Sequence, residues 1–457
     1  MNISEVEKSY QTLLMEVKEL VVATNHELAA TKVTAAVASF QEACDSTQIT
    51  LEEELKALNA LANFSKVCYF LFLSSWEQAC TLHGSPTFHS LTLKSPVALW
   101  CTQLAMNRAA VYCRKAEQGV RLLHRSRPAR KSSNILVQVH CAGVNPVDAK
   151  SLFGDKLPAA CAPLVQWVVE GSTPGFDFSG TVLEAPPNSP YAAGDEVFGL
   201  LPPFYGSMQE FISVPLMQLC RKPVNLTFAE AAALPLVGLT ATQLLLEDHD
   251  LRAGHRLLLL GASGGVGHTA VQVARAVGAS VTAVCSGKNA EFVKSLGAVH
   301  VVDYASEDFL EKLGEIVSRE GPYDLVMDCV SSHDSKDAQY SYEKEIRAVK
   351  LPYQLLTGKY VTIGGFTSDW FAAGVKKAVG VTLFSQGREL FWIRPYGCAA
   401  GLALLRDWAE SGKLIPKLST TFPFTEQGVQ EAFQKLKQRR VVGKIVLDIK
   451  GTKDSHS

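Results

Sequence analysis

The heptapeptide Gly261-Ala262-Ser263-Gly264-Gly265-Val266-Gly267 follows four consecutive leucines, residues 257–260, and precedes Ala270-Val271-Gln272-Val273-Ala274-Arg275. A buried strand, a glycine turn and a helix in that order form a grip for a dinucleotide. Glycines let the backbone turn tightly and approach a pyrophosphate, and the unpaired first N–H groups of the helix, at the positive end of its dipole, receive the anion. The pattern assigns cofactor contact to Gly261, Ser263, Gly264, Gly265, Val266 and Gly267. A turn that merely joins strand to helix is the plain alternative, and the downstream chain argues against it. Ser280-Val281-Thr282-Ala283-Val284-Cys285 reads as a second strand, residues 290–296 as the next helix closed by Gly297, and apolar runs recur at Val299-His300-Val301-Val302 and Leu325-Val326-Met327. Strands alternating with helices predict an α/β fold with a parallel, doubly wound sheet.

Charge narrows the cofactor. An NAD site usually places an acid roughly 20 residues beyond the glycines, on the ribose hydroxyls. Here the second strand ends in Cys285-Ser286-Gly287-Lys288-Asn289, with a cation and no carboxylate. Ser286 and Lys288 suit a 2′-phosphate, with Tyr304 as a third contact, so the expectation is NADPH. An ordinary solvated lysine at a helix start is the competing reading of Lys288.

The chain has 457 residues, 47% hydrophobic and 19% charged, with a net charge of -1. Such a length exceeds one compact core, and such a charge gives a nucleic acid nothing to bind. Eleven cysteines, none in a CxxC pair, fit reduced thiols rather than a disulfide framework. Residues 1–8 carry Glu5 and Glu7 and no arginine, poor material for a targeting segment, so the expected location is cytoplasmic rather than mitochondrial. The longest strongly apolar stretch, near residues 67–73, falls short of a membrane span.

Residues 1–105 read as helices. Val6, Tyr10, Leu13, Val17 and Leu20 form one stripe behind a Ser4/Glu7 capping box, Leu51, Leu55, Leu58 and Leu61 a second, and residues 63–80 a third, more apolar segment. These stripes either pack on one another as a small bundle or recruit a protein partner. At the junction, residues 105–117 fit a helix, yet Ala110-Val111-Tyr112-Cys113, a charged turn, and Val120-Arg121-Leu122-Leu123 fit a hairpin equally well. Arg127-Pro128-Ala129-Arg130 then marks a linker before the strand Ile135-Leu136-Val137-Gln138-Val139-His140.

From Arg108 to Asp148, with Asn134 through His140 followed by Cys141-Ala142-Gly143-Val144-Asn145-Pro146-Val147-Asp148, the chain resembles the opening of the zinc-independent medium-chain dehydrogenase/reductase family, in its quinone oxidoreductase branch. Further landmarks are Pro174-Gly175-Phe176-Asp177-Phe178-Ser179-Gly180, Gly194-Asp195-Glu196-Val197-Phe198-Gly199, Gly206-Ser207-Met208-Gln209-Glu210-Phe211, and Ala231 through Ala241. The resemblance favours the hairpin. It implies a GroES-like catalytic domain over residues 106–225, completed by 416–450, with a Rossmann domain over 226–415 inserted; the helical extension over 1–105 then stands in front of it, and 451–457 is expected as a disordered tail. Met106 then stands where an internal start would.

Zinc members of the superfamily use a Cys, a His and a second Cys; the resemblance puts Asn145, Phe176 and Leu236 at those positions. An amide and two hydrocarbons cannot build the tetrahedral N/S site that zinc prefers, so no metal is expected. Without a Lewis acid, hydride addition to a quinone or an α,β-unsaturated carbonyl is the accessible reaction. Asn145 and Lys150 are the candidate donors to the oxygen that gains charge, and Asp148 orients its neighbours, its ordinary pKa leaving it ionised at neutral pH. Asn145-Pro146 is also a turn signal, Asp148 a plausible cap, and Asp177 a structural residue. By the same resemblance Thr240 lies near the nicotinamide, and Gly443-Lys444 touches the cofactor. No histidine falls in a metal or triad pattern, so each reads as an ordinary core or surface residue. Residues 331–357 hold a polar insertion longer than a minimal crossover, suited to covering the cofactor or to contact within a homodimer. The second functional reading is an NADPH-binding scaffold whose residues 1–105 recruit a partner.

Overall fold

The computed structural model describes residues 106–113, 115–150, 169–203, 205–306, 308–330, 355–364 and 388–451. The stripes expected before residue 106, residues 331–354 of the insertion, and the tail from 452 lie outside the described residues.

Strands β1 (Met106–Tyr112) and β2 (Val120–Ser126) pair antiparallel, from Met106 opposite Ser126 to Tyr112 opposite Val120. The hairpin wins over the helix because Gln118 and Gly119 take left-handed φ values of 54° and 76° in the turn. Next come β3 (Asn134–Val144), the short helix α1 (Pro146–Lys150), β4 (Asp177–Glu184), β5 (Glu196–Leu200), β6 (Phe211–Pro215) and β7 (Leu219–Arg221). Helices α2 (Phe228–Ala232) and α3 (Pro235–Thr242) lead onward, α2 started by a Thr227/Glu230 capping box.

Then follow β8 (Arg256–Leu260), α4 (Gly265–Ala276), β9 (Ser280–Cys285), α5 (Ala290–Ser295), β10 (His300–Asp303), α6 (Phe309–Glu320), β11 (Tyr323–Asp328), β12 (Leu356–Thr362), β13 (Arg388–Leu390) and α7 (Ala399–Glu410). The chain closes with β14 (Leu418–Pro423), α8 (Glu426–Lys437) and β15 (Lys444–Asp448).

Two large sheets result. Strands β8 to β13 form a wholly parallel sheet in the order β10-β9-β8-β11-β12-β13. Its direction of growth reverses between β8 and β11, which opens a crevice at their carboxyl ends. The four leucines of β8 are completely buried, Leu257 and Leu259 in the cluster of Ala270, Val271 and Ala274, and Leu258 and Leu260 in that of Phe309, Leu313 and Val317. A strand covered on both faces has no position for a polar side chain, which accounts for the unbroken apolar run.

The other sheet has the order β14-β15-β3-β4-β5-β7, with β6 on the remaining part of β3. Strand β15 runs antiparallel to β3, with Ile445 opposite Val144. The carboxyl end of the chain thus delivers Lys444 to the end of β3, beside Asn145. A GroES-like sheet and a Rossmann-like sheet define the α/β class.

Candidate cofactor and active site

The glycine turn sits at the mouth of the crevice. Gly261 has φ of 79°, and a Cβ there would meet the Val330 side chain just beyond β11. Gly267 is enclosed by the backbone of Gly261 and Ala262, with no room for a methyl group. Gly264 caps α4 in an extended conformation with no side-chain acceptor in the cap, leaving the first helical N–H groups, Gly265 through Gly267, for a ligand. Glycines are thus required where backbone meets backbone, and the cradle fits a dinucleotide pyrophosphate.

The neighbouring turn adds polar groups. Asn289 Nδ2 donates to Ser263 Oγ at 3.2 Å, which fastens the Ser286–Lys288 turn to the glycine turn. Lys288 is exposed and Ser286 half-buried. Tyr304 follows β10 with its N–H donated to Cys285 O at 3.3 Å and 43% of its surface exposed. The sequence reading missed one acid: Asp303, at the end of β10, lies against Gly287 and accepts the Ala305 N–H at 2.9 Å. Only the parallel pairing of β10 with β9, Asp303 opposite Cys285, brings it there.

From the other sheet, Gly443 and Lys444 meet this turn. The Gly443 N–H donates to Ser263 O at 3.0 Å, and the Lys444 stem packs on Gly265 so closely that a Cβ there would stand 3.1 Å from it. The Lys444 ammonium is 4% exposed and binds Val144 O at 3.2 Å, Asp177 Oδ2 at 3.2 Å, and Asn145 Oδ1. Asn145 Nδ2 donates to the same Asp177 oxygen at 2.8 Å, with Gly143 O next at 3.5 Å. The other Asp177 oxygen accepts the Leu236 N–H at 2.6 Å. Asp177, read from sequence as structural, is the hub of this knot.

Asp148 holds the knot from behind. It is completely buried, and its carboxylate accepts the N–H of Asn145 at 2.7 Å and of Gly175 at 3.1 Å. Burial, reinforced by the charge of Asp177, pushes its pKa up to about 7, against the opposing N–H bonds and Lys444. Burial therefore works against the ionised state that the ordinary carboxylate value leads one to expect at neutral pH. Lys150 ends α1 two residues on, and its side chain lies outside the described residues. Thr240 lies in α3, 6% exposed.

Of the three positions matched to zinc ligands, Asn145 and Leu236 both bind Asp177, and none of the three carries a thiol, imidazole or carboxylate. Asn145 is bound within the knot, Leu236 contributes its backbone N–H, and Phe176 packs against an apolar cluster. Among the described residues, no group of three His, Cys, Asp or Glu side chains is placed to hold a metal ion.

The profile described as an alcohol dehydrogenase GroES-like domain matches residues 131–224, and the one described as a zinc-binding dehydrogenase matches residues 296–447. The human protein named "NAD(P)H oxidoreductase RTN4IP1, mitochondrial" is 33% identical over 341 residues, 69% of this chain and 82% of its own. The tomato (Solanum lycopersicum) "2-methylene-furan-3-one reductase" is 32% identical over 396 residues, 84% of this chain and 87% of its own. Among solved structures, the quinone oxidoreductase of Coxiella burnetii superposes with a TM-score of 0.60 at 27% identity, covering 75% of this chain and 99% of its own. The chain belongs to the medium-chain dehydrogenase/reductase family, and it is an oxidoreductase built for a nicotinamide cofactor.

These relatives correct the cytoplasmic expectation, because the human relative is a mitochondrial protein. Scattered cysteines without a CxxC pair do not choose between the cytosol and another reducing compartment.

Proposed function

We propose that the protein is a zinc-independent, NADPH-dependent reductase of quinones or α,β-unsaturated carbonyls. The observation that carries the reading is the contact between the glycine turn and Lys444, whose ammonium ends in a knot that offers no ligand set for zinc. The cofactor, when bound, supplies hydride. The protein's own part is to hold it and to stabilise the charge that develops on the acceptor oxygen. Gly261, Ser263, Gly264, Gly265, Val266 and Gly267 hold the pyrophosphate, Thr240 borders the nicotinamide, and Ser286, Lys288 and Tyr304 hold the 2′-phosphate. Asp303 opposes that last assignment electrostatically, and its bond to the Ala305 N–H turns part of its charge inward.

In this reading Asn145 is the oriented donor. Lys444 on its carbonyl oxygen draws electron density from the amide, and the Nδ2 hydrogen on the long 3.5 Å bond to Gly143 O is the one that exchanges partners for substrate, the side chain itself being buried. Asp148 fixes the Asn145 backbone, and Lys150 delivers the proton that completes reduction. Purified protein should oxidise NADPH faster than NADH when offered quinones and alkenals, followed at the nicotinamide absorbance. Absence of turnover across a broad panel would remove the proposal. We place the protein in mitochondria, as its human relative is, and fractionation of expressing cells checks it.

A further inference from the structure

Helix α4 carries two polar side chains, each 1% exposed, that the reading above does not use: His268 and Gln272. His268 Nδ1 lies 2.9 Å from the carbonyl oxygen of Gly264. A carbonyl only accepts, so Nδ1 carries the proton and Nε2 is left bare. That bare nitrogen accepts the Lys417 N–H at 3.2 Å. One helical turn on, Gln272 does the same with an amide. Its Nε2 donates to His268 O at 3.1 Å and to Ile415 O at 3.0 Å, and its Oε1 accepts the Ile415 N–H at 2.8 Å.

The spacing makes the double clasp possible. Four helical residues advance about 6 Å and two extended residues about 6.6 Å, so side chains at i and i+4 meet alternate peptides of a neighbouring extended segment. That segment is the one by which the chain re-enters the GroES-like sheet at β14. From it the path returns to the cofactor turn: Lys417 O accepts the Lys444 N–H at 2.8 Å, and the Gly443 N–H donates to Ser263 O at 3.0 Å. Gly443 has φ of 76°, and its missing Cβ is what lets Lys417 lie against it. The hydrogen bonds therefore form a circuit from Ser263 through Gly443, Lys444, Lys417 and His268 back to Gly264.

We infer that His268, supported by Gln272, is a positioning residue for the nicotinamide cofactor, holding the phosphate-binding turn at a fixed distance from Lys444 and so coupling cofactor seating to the Asn145 knot. This rests on the proposed function for the identity of the ligand. Without the clasp, only the Gly443–Ser263 bond and the packing of the Lys444 stem on Gly265 tie the turn to the start of β15.

The test uses the full chain, with NADPH as the probe, in wild type, His268→Leu and His268→Gln. Leucine fills space and leaves the Lys417 N–H without an acceptor, whereas glutamine reproduces what Gln272 does one turn away. Loss of one such bond predicts about tenfold weaker NADPH binding and a matching rise in its KM for His268→Leu, with kcat changed by less than about twofold and most of the loss recovered in His268→Gln. Imidazole 15N shifts of the wild type should show the neutral Nδ1–H tautomer at neutral pH. Equal NADPH affinity in a folded His268→Leu protein overturns the inference, as does the opposite tautomer. If His268→Leu does not fold, the tautomer and His268→Gln decide the matter. Failure of the wild type to bind NADPH or NADH overturns the proposed function and this inference with it; a wild type that binds while His268→Leu is unimpaired overturns only this one.

Discussion

Lys444 reaches Asp177 at 3.2 Å with both side chains buried, and the pair ties the start of β15 to the start of β4. Through Asn145 and the Leu236 N–H it also ties the end of β3 to the first turn of α3. Removing one partner of a buried pair leaves the other charge uncompensated, at about 3–5 kcal/mol. Lys444→Met and Asp177→Asn should each lower the unfolding free energy by that order, and their combination should cost less than the sum, because it removes the stranded charge. Denaturant titrations of the three variants measure it; strict additivity would contradict the coupled arrangement.

Asp148 gives a pH signature. Its pKa rises from 3.8 to about 7 on folding, so the fold favours the neutral acid. The sign follows: the stabilising contribution is complete below the unfolded value and gone once the pH has risen through about 7, a slope near 1.4 kcal/mol per pH unit in between. The stability of wild type relative to Asp148→Asn should therefore fall as pH rises from about 4 to 7 and then level off. Parallel melts across that range check it, and a gap independent of pH would refute it.

His268 predicts the opposite slope. Burial, with Lys444 adding to it, brings its pKa from 6.5 down to about 4, against the bonds to Gly264 and Gly265; Lys417 is the other cation of the adjoining segments. A depressed histidine stabilises the fold above its unfolded pKa and loses that contribution as pH falls through the folded one. Wild type should lose stability relative to His268→Gln between about pH 6.5 and 4. His140, also lowered to about 4, is present in both proteins and cancels in the comparison.

What the sequence made legible follows from what is local. The glycine turn and the doubly covered β8 depend on near neighbours in the chain, and both read directly from residues 257–267. Asn145 and Lys444 were found through family resemblance, yet their meeting with Asp177 depends on β15 lying beside β3, a pairing of segments some 300 residues apart, for Lys444 to Asn145 a separation of 299. Asp303 escaped notice because it belongs to the next strand rather than to the Ser286–Lys288 turn. His268 and Gln272 sit inside an apolar helical pattern, and their i, i+4 spacing has no meaning until the extended segment at Ile415 and Lys417 is laid against it.

In the proposed function the choice between the two nicotinamide cofactors rests on Lys288, in the turn after β9, and Asp303, at the end of β10, which carry opposite charge. An exposed lysine on a phosphate is worth about 1–2 kcal/mol, so Lys288→Ala should raise KM for NADPH by about tenfold while leaving KM for NADH nearly unchanged. Asp303→Asn should act in the other direction, favouring NADPH further by removing a negative charge near the 2′-phosphate. The ratio of kcat/KM for the two cofactors in each variant is the measurement. If Lys288→Ala affects both cofactors equally, Lys288 acts on the pyrophosphate or on the fold, and the 2′-phosphate assignment is wrong.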